Sequence, residues 1–254
     1  TESRVLTVEA LTGGLSSSRS LANITVAITL FTKQENADAL NLGTSWVGNT
    51  VPGADNVALW NRTVTAAQTV APGADRAWHG LRLADPGGLV TITGGNTLTL
   101  GSGGINMEAA TQDLTIEAGL VTSASQTWKI AGGRTFLRTG GTTTFNAGTT
   151  TTLSGPGTVE FTGNQTMAGT GALVINGGTL VHSLQAGTMN RSGATTLNAG
   201  TLNIQSSVNL FGYGPLNLNG GSIGSGNATA CTVINDLTLG GNPVIGIGAL
   251  GTGT

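Results

Sequence analysis

The chain has 254 residues, of which 9% are charged and 42 are glycine, whereas charged residues make up about 25% of an ordinary soluble domain. Such a composition excludes a coiled coil and a highly charged disordered tail, because both need many charged residues. The net charge is −2, and the ten Lys and Arg residues are scattered, so we expect no nucleic-acid partner. No apolar run approaches the roughly 20 residues that span a bilayer, so we expect no membrane insertion.

Residues 1–40 are predicted to form an extension that contains two strands. Residues 4–8 and 23–31 alternate apolar and polar positions, and a Gly- and Ser-rich segment at 13–18 separates them. One face of the second strand is apolar and carries Ile24, Val26, Ile28 and Leu30. Such a strand needs a partner edge. It either pairs with the first coils of its own chain or adds to an edge of a neighbouring subunit.

Residues 41–86 are predicted to form the first coils of a repetitive fold. The segment Pro52-Gly-Ala-Asp55 recurs as Pro72-Gly-Ala-Asp75, and Pro-Gly suits the two central positions of a type II turn. If the two turns are equivalent, Asp55 and Asp75 lie on adjacent coils about 5 Å apart. They either share a cation or cap their own turns through the backbone.

Tryptophan is concentrated in the same region, which holds Trp46, Trp60 and Trp78 of the four residues of this type. Flat aromatic faces suit pyranose rings, so an exposed cluster would form a glycan-binding platform. A buried cluster would instead plug the apolar end of a core. We favour the plug.

Residues 87–254 are predicted to form the body of a solenoid. Short strands, in which Leu, Ile or Phe alternates with Thr or Asn, are separated by Gly-Gly or Ala-Gly pairs. Residues 171–180 recur as residues 214–223, and other intervals lie near 20, as coils of about 20 residues would leave. We therefore predict an all-β parallel β-helix, or β-solenoid, of roughly ten coils. Leu and Ile would fill its central column, and Thr and Asn would form outer ladders.

Two segments carry a resemblance to a known family. Residues 171–180 followed by 195–204 resemble the autotransporter-associated β-strand repeat of bacterial autotransporter passenger regions and related large surface proteins. Residues 45–60 are similar to the stretch that often opens such arrays. The resemblance implies a right-handed β-helix, export to the cell surface and an adhesive or scaffolding role. Because no translocator barrel accompanies the repeats, we expect a short, self-contained subunit.

The single cysteine and the first residues bear on the compartment. Cys231 shares one side of an alternating strand with Val233, which predicts a buried core residue. The sequence has no initiator Met and no signal peptide, so we expect a processed, exported form. No pair of His or Cys has metal-ligand spacing, so we expect no metal or cofactor.

Carboxylates on the solenoid raise an enzymatic alternative, because polysaccharide-cleaving β-helices group such residues on one face. The candidates are Glu108, Asp113, Glu117 and Glu160, with Arg134 and Arg138 as charge partners. Their spacing places them on several coils without an evident point of convergence. We therefore expect a protein that is not an enzyme.

The last residues favour self-assembly. A solenoid end exposes unpaired backbone and an apolar core, so soluble solenoids carry a polar cap. Residues 242–254 contain no charge, and their apolar residues include Val244, Ile245 and Ile247. We expect another copy to cover this end, with the N-terminal strand reaching across, to give an extracellular head-to-tail filament or surface layer. The alternative is a monomeric adhesin that binds surface glycans through its tryptophans.

Overall fold

The computed structural model describes residues 2–9, 21–184, 190–205, 212–226 and 233–249 and shows a parallel β-solenoid. The predicted fold class is confirmed. The solenoid has about eight turns, slightly fewer than the number predicted. Within the described residues, the helical part is a single 3-10 turn at Gly43–Ser45.

Twenty-one strands make up the described part of the chain. They are β1 (Glu2–Glu9), β2 (Leu21–Thr32), β3 (Asn56–Trp60), β4 (Gln68–Val70), β5 (Arg76–Leu83), β6 (Val90–Ile92), β7 (Thr97–Met107), β8 (Leu114–Ile116), β9 (Gly119–Thr122), β10 (Gln126–Ile130), β11 (Thr135–Thr139), β12 (Thr142–Phe145), β13 (Thr150–Ser154), β14 (Thr158–Gly163), β15 (Thr166–Gly169), β16 (Ala172–Leu184), β17 (Thr195–Ile204), β18 (Leu216–Leu218), β19 (Ser222–Ser225), β20 (Leu237–Leu239) and β21 (Val244–Ala249).

The strands stack into three parallel faces, two of which run along the whole described solenoid while the third has described strands on five coils. Face A contains the end of β2, then β3, the second halves of β5 and β7, β10, β13, the first halves of β16 and β17, β18 and β20. Face B contains β4, β6, β8, β11, β14, the second halves of β16 and β17, β19 and β21. Face C contains the first halves of β5 and β7, then β9, β12 and β15.

The core is a set of straight columns, because residues in register on successive coils superpose. One column of face A contains Leu81, Ile105, Trp128, Leu153, Ile175, Leu197 and Leu218, all of them buried. Residues of the other parity point outward, and many of them are Thr or Asn. The predicted apolar column and outer polar ladders are both confirmed.

Glycines let the chain turn where faces A and B meet. Gly178 and Gly200 occupy this corner in β16 and β17, with φ of +69° and +86°. A Cβ atom at Gly200 would lie 2.4 Å from the carbonyl oxygen of Gly178. Glycine is therefore required at Gly200 both for the left-handed backbone and for the close approach of the neighbouring coil.

The coil is longer than the shortest sequence intervals predict. Leu197, Leu218 and Leu239 are successive members of one column and lie 21 residues apart, whereas Trp128 and Leu153 are 25 apart. The interval of 43 between residues 171–180 and 214–223 corresponds to two coils, as Leu173 pairs with Thr195 and Thr195 with Leu216.

The N-terminal strands form a hairpin that runs into the first coil. β1 pairs antiparallel with residues 21–28 of β2, and Thr29–Thr32 pair parallel with β3 of the same chain. Phe31 aligns with Ala58 and so begins the inner column of face A. Leu30 has the opposite parity and is half-buried beside Val57, whereas Ile28 of the predicted apolar face is 5% exposed. The predicted 1–40 extension thus contributes the first rung of face A.

Candidate functional sites at the two ends of the solenoid

A tryptophan cluster lies at the N-terminal end of the core. Trp46, Trp60 and Trp78 are all at most 1% exposed, and their ring centroids lie 5.8–6.1 Å apart. The Trp46 indole donates to the carbonyl oxygen of Leu40 at 3.0 Å. A sugar-stacking platform needs exposed ring faces, and these rings are covered by protein. Their position is the one that a plug requires.

Residues 33–47 cross the N-terminal end and seal it. Lys33 is fully buried, and its ammonium group donates to the carbonyl oxygens of Gln34 and Asn36 and to Asn36 Oδ1 at 2.7–3.0 Å. Burial lowers the pKa of Lys33 to about 8. Gln68 Nε2 on the first rung of face B donates to the same two carbonyl oxygens. We call residues 33–47 the cap.

Glu35 ties the cap to the adjoining turn. Its carboxylate accepts a hydrogen bond from the backbone N–H of Thr65, which holds the pKa of Glu35 below its usual range. Leu40 also donates its backbone N–H to the carbonyl oxygen of Ala71 at 2.9 Å. The cap is therefore bonded to the first coil through two separate segments.

The opposite end of the described chain is open. Leu239 and Ile245 continue columns whose preceding members, Leu218 and Ile223, are 1% and 6% exposed. In this last coil the exposed fractions rise to between 51% and 60% for Leu237, Leu239, Val244 and Ile245. We call these four residues the open end. Ile247, the third apolar residue of the predicted assembly surface, is in β21.

Asp55 and Asp75 do not occupy equivalent turns. Asp55 precedes β3 on face A, whereas Asp75 precedes the face C half of β5. β3 pairs with the second half of β5, so the true coil spacing here is 23 residues and the interval of 20 is misleading. Asp75 Oδ1 accepts a hydrogen bond from the backbone N–H of Thr97 on the next coil at 2.8 Å, so it joins two coils. The equivalence of the two turns, on which the shared-cation alternative depends, is therefore absent.

The candidate catalytic carboxylates have separate structural partners. Glu108 pairs with Lys129 at 2.6 Å. The Asp113 carboxylate lies 3.6 Å from the Arg134 guanidinium. It also accepts a hydrogen bond from the backbone N–H of Thr135, the first residue of β11. Glu160 accepts a hydrogen bond from a serine hydroxyl on face B. These contacts give each carboxylate a role in joining neighbouring coils.

A shallow groove of about 360 Å³ follows the corner between faces B and C. Asp75 and Glu117 line it, together with Asn96, Thr97 and glycine backbone. The groove arises because the turns shorten from residues 71–75 on one coil to two residues, 117–118, two coils further on. Asp75 and Glu117 are the two acids among the described residues that line this groove.

Arg138 lies inside the core, although its charge predicts a surface partner for the carboxylates. It is fully buried, and its guanidinium donates to Thr143 Oγ1 and to the carbonyl oxygens of Ile116, Thr139 and Thr142 at 2.7–3.2 Å. Burial lowers the pKa of Arg138 to about 10. The planar fork of donors satisfies carbonyl oxygens from two coils at one corner.

A second arginine, Arg191, is buried although no pattern in the sequence predicts it. Arg191 donates to the carbonyl oxygens of Gly171 and Ala194 and to Thr195 Oγ1 at 2.6–3.2 Å. Its guanidinium also lies 5.1 Å from the ring centroid of Phe145. Burial lowers the pKa of Arg191 to about 10. Both arginines serve the packing of the coils.

Three further predictions concern metal, membrane and cysteine. The described residues contain no group of three or more His, Cys, Asp or Glu that could hold a metal ion. Among the same residues, no helix is long and apolar enough to cross a membrane. Cys231 lies outside the described residues.

Comparison with protein-family models, with curated proteins and with solved structures found no match for this chain.

Proposed function

We propose that this protein is a non-enzymatic structural protein of the cell exterior whose copies associate head to tail. The observation that carries the proposal is the open end, where two core columns continue to Leu239 and Ile245 with more than half of each residue exposed. Apolar surface of this kind is rare on a monomer and is typical of an association site. The low charge of the chain suits close packing of copies.

The partner element in this proposal is the β1–β2 hairpin of a second copy. The cap covers the N-terminal end, so two solenoids do not stack rung on rung. Residues 21–28 of β2 pair with β1 alone among the described strands, which leaves backbone edges for addition to β20 or β21. Strand addition supplies main-chain hydrogen bonds and covers an edge that would otherwise stay unpaired.

The arrangement is heterologous, because a hairpin at one end meets the open end of the next copy. Such contacts repeat without closing unless a rotation brings the chain of copies back on itself. A filament or surface layer is the expected product. The glycan-binding alternative through tryptophans is disfavoured because all three rings are buried, and three of the four candidate carboxylates are bonded to separate partners.

Negative-stain microscopy and light scattering over a range of protein concentrations test the proposal. We expect filaments whose length grows with concentration. The double variant Leu237→Glu/Leu239→Glu should stay monomeric, because two carboxylates would be buried without partners at the contact. The matched control is Leu89→Glu, since Leu89 is an exposed leucine of a turn away from the open end, and this variant should assemble normally.

A second variant tests the hairpin. Proline at Thr7 removes a backbone donor from β1 and should block assembly while the far-ultraviolet spectrum of the solenoid is retained. Particles that stop at two copies would contradict the head-to-tail arrangement, because they would indicate that two open ends meet. A monomer at all concentrations would overturn the whole proposal.

A further inference from the structure

The outer surface of face B carries straight rows of hydroxyl groups. One row contains Thr135, Thr158, Thr179, Thr201 and Ser222, which are in register on five successive coils and half-buried. A second row, four residues further along the strands, contains Thr139, Thr162 and Ser183. We call these eight residues the hydroxyl face. Its hydroxyl groups repeat along the solenoid at about 4.8 Å, the distance between neighbouring strands.

A central track runs between the two rows. It contains Leu137, Glu160, Val181 and Asn203, which are also in register. Ser183 donates to Glu160 at 2.9 Å, so the one acid of the track is bonded to the row beside it. The rows lie about 13 Å apart along the strands, since each residue advances about 3.3 Å. Val181 is only 7% exposed, so the centre of the face offers the half-buried Leu137 and Asn203, with hydroxyl groups along both sides.

Charge is almost absent from this part of the protein. Of the ten basic and twelve acidic residues of the chain, only Glu160, Arg191 and Asp236 follow residue 138, and Arg191 is buried. A ligand that is recognised through its own charges would find no complement here. A neutral ligand rich in hydroxyl groups matches the chemistry of the rows.

We propose that the hydroxyl face binds an extended, neutral, β-1,4-linked polysaccharide whose chain lies along the solenoid axis, with one sugar facing each coil. An extended chain of this linkage is a flat ribbon that advances by nearly one strand spacing per sugar. Its hydroxyl groups at the ribbon edges meet the two rows, and one of its C–H faces meets the half-buried Leu137. The site differs from the tryptophan cluster and does not depend on head-to-tail assembly.

Repetition is what gives the binding its strength. No residue of the rows or of the central track is aromatic, so a single sugar gains little binding free energy. The side chains of the rows are held in place by the sheet, however, and lose little conformational freedom when the ligand binds. Each added sugar contributes a net hydrogen bond or two, which corresponds to about two- to tenfold in affinity. Affinity should therefore rise with chain length until all five coils of the first row are covered.

Titration calorimetry with the cello-oligosaccharides from cellobiose to cellohexaose tests this proposal. We expect affinity to rise at each step up to cellopentaose and little binding of maltohexaose, whose α-linkages curve the chain. The double variant Thr158→Val/Thr179→Val keeps the side-chain shape and removes two hydroxyl groups. It should bind cellohexaose about tenfold or more weakly, as expected for two lost hydrogen bonds.

The matched control is Thr144→Val/Thr152→Val, which changes two outward-facing, half-buried threonines on faces C and A. This control should bind as the unaltered chain does, and circular dichroism would verify the fold of both variants. Affinity that does not depend on length, equal binding of maltohexaose, or no binding would overturn the proposal. So would a loss of self-association in the Thr158→Val/Thr179→Val variant without sugar present, because the face would then pack against a second copy.

Discussion

At the residue scale, the buried amine of Lys33 in the cap makes the free energy of unfolding depend on pH. The pKa of Lys33 is lowered from 10.5 to about 8 because burial disfavours the charged form. Between these two values the unfolded chain binds more protons than the folded chain, so the free energy of unfolding should rise with pH across this window. Below pH 8 both states are protonated, and the contribution levels off.

Urea denaturation at several pH values between about 8 and 10.5 would measure this effect. The variant Lys33→Met should lose the rise, whereas Lys129→Met should keep it, because the Lys129 side chain is 44% exposed and paired with Glu108. An unchanged pH dependence in Lys33→Met would show that some other group is responsible.

Residue-scale prediction from sequence succeeds for the apolar column and the outer Thr and Asn ladders but fails for buried Arg and His side chains. Arg138 follows Phe136 by two residues and so shares its inward parity, yet its charge predicts a surface position because buried arginines are rare. His182, a lone histidine for which the same reasoning predicts a surface position, is fully buried, and burial lowers its pKa to about 4. Alternation sets the direction of each side chain, but the carbonyl oxygens that satisfy a buried cation come from other coils.

At the element scale, the corners limit which residues the strands tolerate. The variant Gly200→Ala must place a Cβ atom 2.4 Å from the carbonyl oxygen of Gly178, at a φ of +86°. The left-handed backbone costs about 1–2 kcal/mol, and moving the neighbouring coil adds about 1–3 kcal/mol. We expect a loss of about 2–4 kcal/mol in the free energy of unfolding, measured by denaturation.

A control separates the two contributions. Gly133 has a φ of +69°, and a Cβ atom added there would meet no atom within 4 Å, so Gly133→Ala should cost only the backbone strain of about 1–2 kcal/mol. Equal losses in the two variants would mean that the contact between coils at Gly200 adds nothing.

Differences in turn length explain why the fold could be predicted from the sequence while parts of the candidate sites could not. Period-two alternation and glycine pairs identify strands and corners, which is enough for a solenoid. The turns that join faces vary from five residues at 71–75 to two at 117–118, so equal sequence intervals do not guarantee equal positions. For this reason the two Pro-Gly-Ala-Asp segments fall on different faces. The sequence also does not indicate which residues of the neighbouring coils contact the carboxylates.

At the scale of the whole molecule, stability should fall from the middle of the solenoid toward the open end. Each coil contacts only its neighbours, so the stability of a solenoid is close to a sum of coil and interface terms. The middle coils share an aromatic cluster in which Trp128 lies 5.3–6.2 Å from Phe136, Phe145 and Phe161. In the last described coil, the core residues of the open end are more than half exposed.

Amide hydrogen exchange followed by mass spectrometry would test this gradient. At low protein concentration β20 and β21 should exchange fastest and β10 to β14 slowest, because local opening is cheapest where few contacts are lost. If copies associate through the open end, protection of β20 and β21 should increase with concentration in the unaltered chain. It should not increase in Leu237→Glu/Leu239→Glu, where assembly is blocked. Uniform exchange along the chain would mean that the solenoid opens as one unit, and the open end would then have no independent weakness for a partner to relieve.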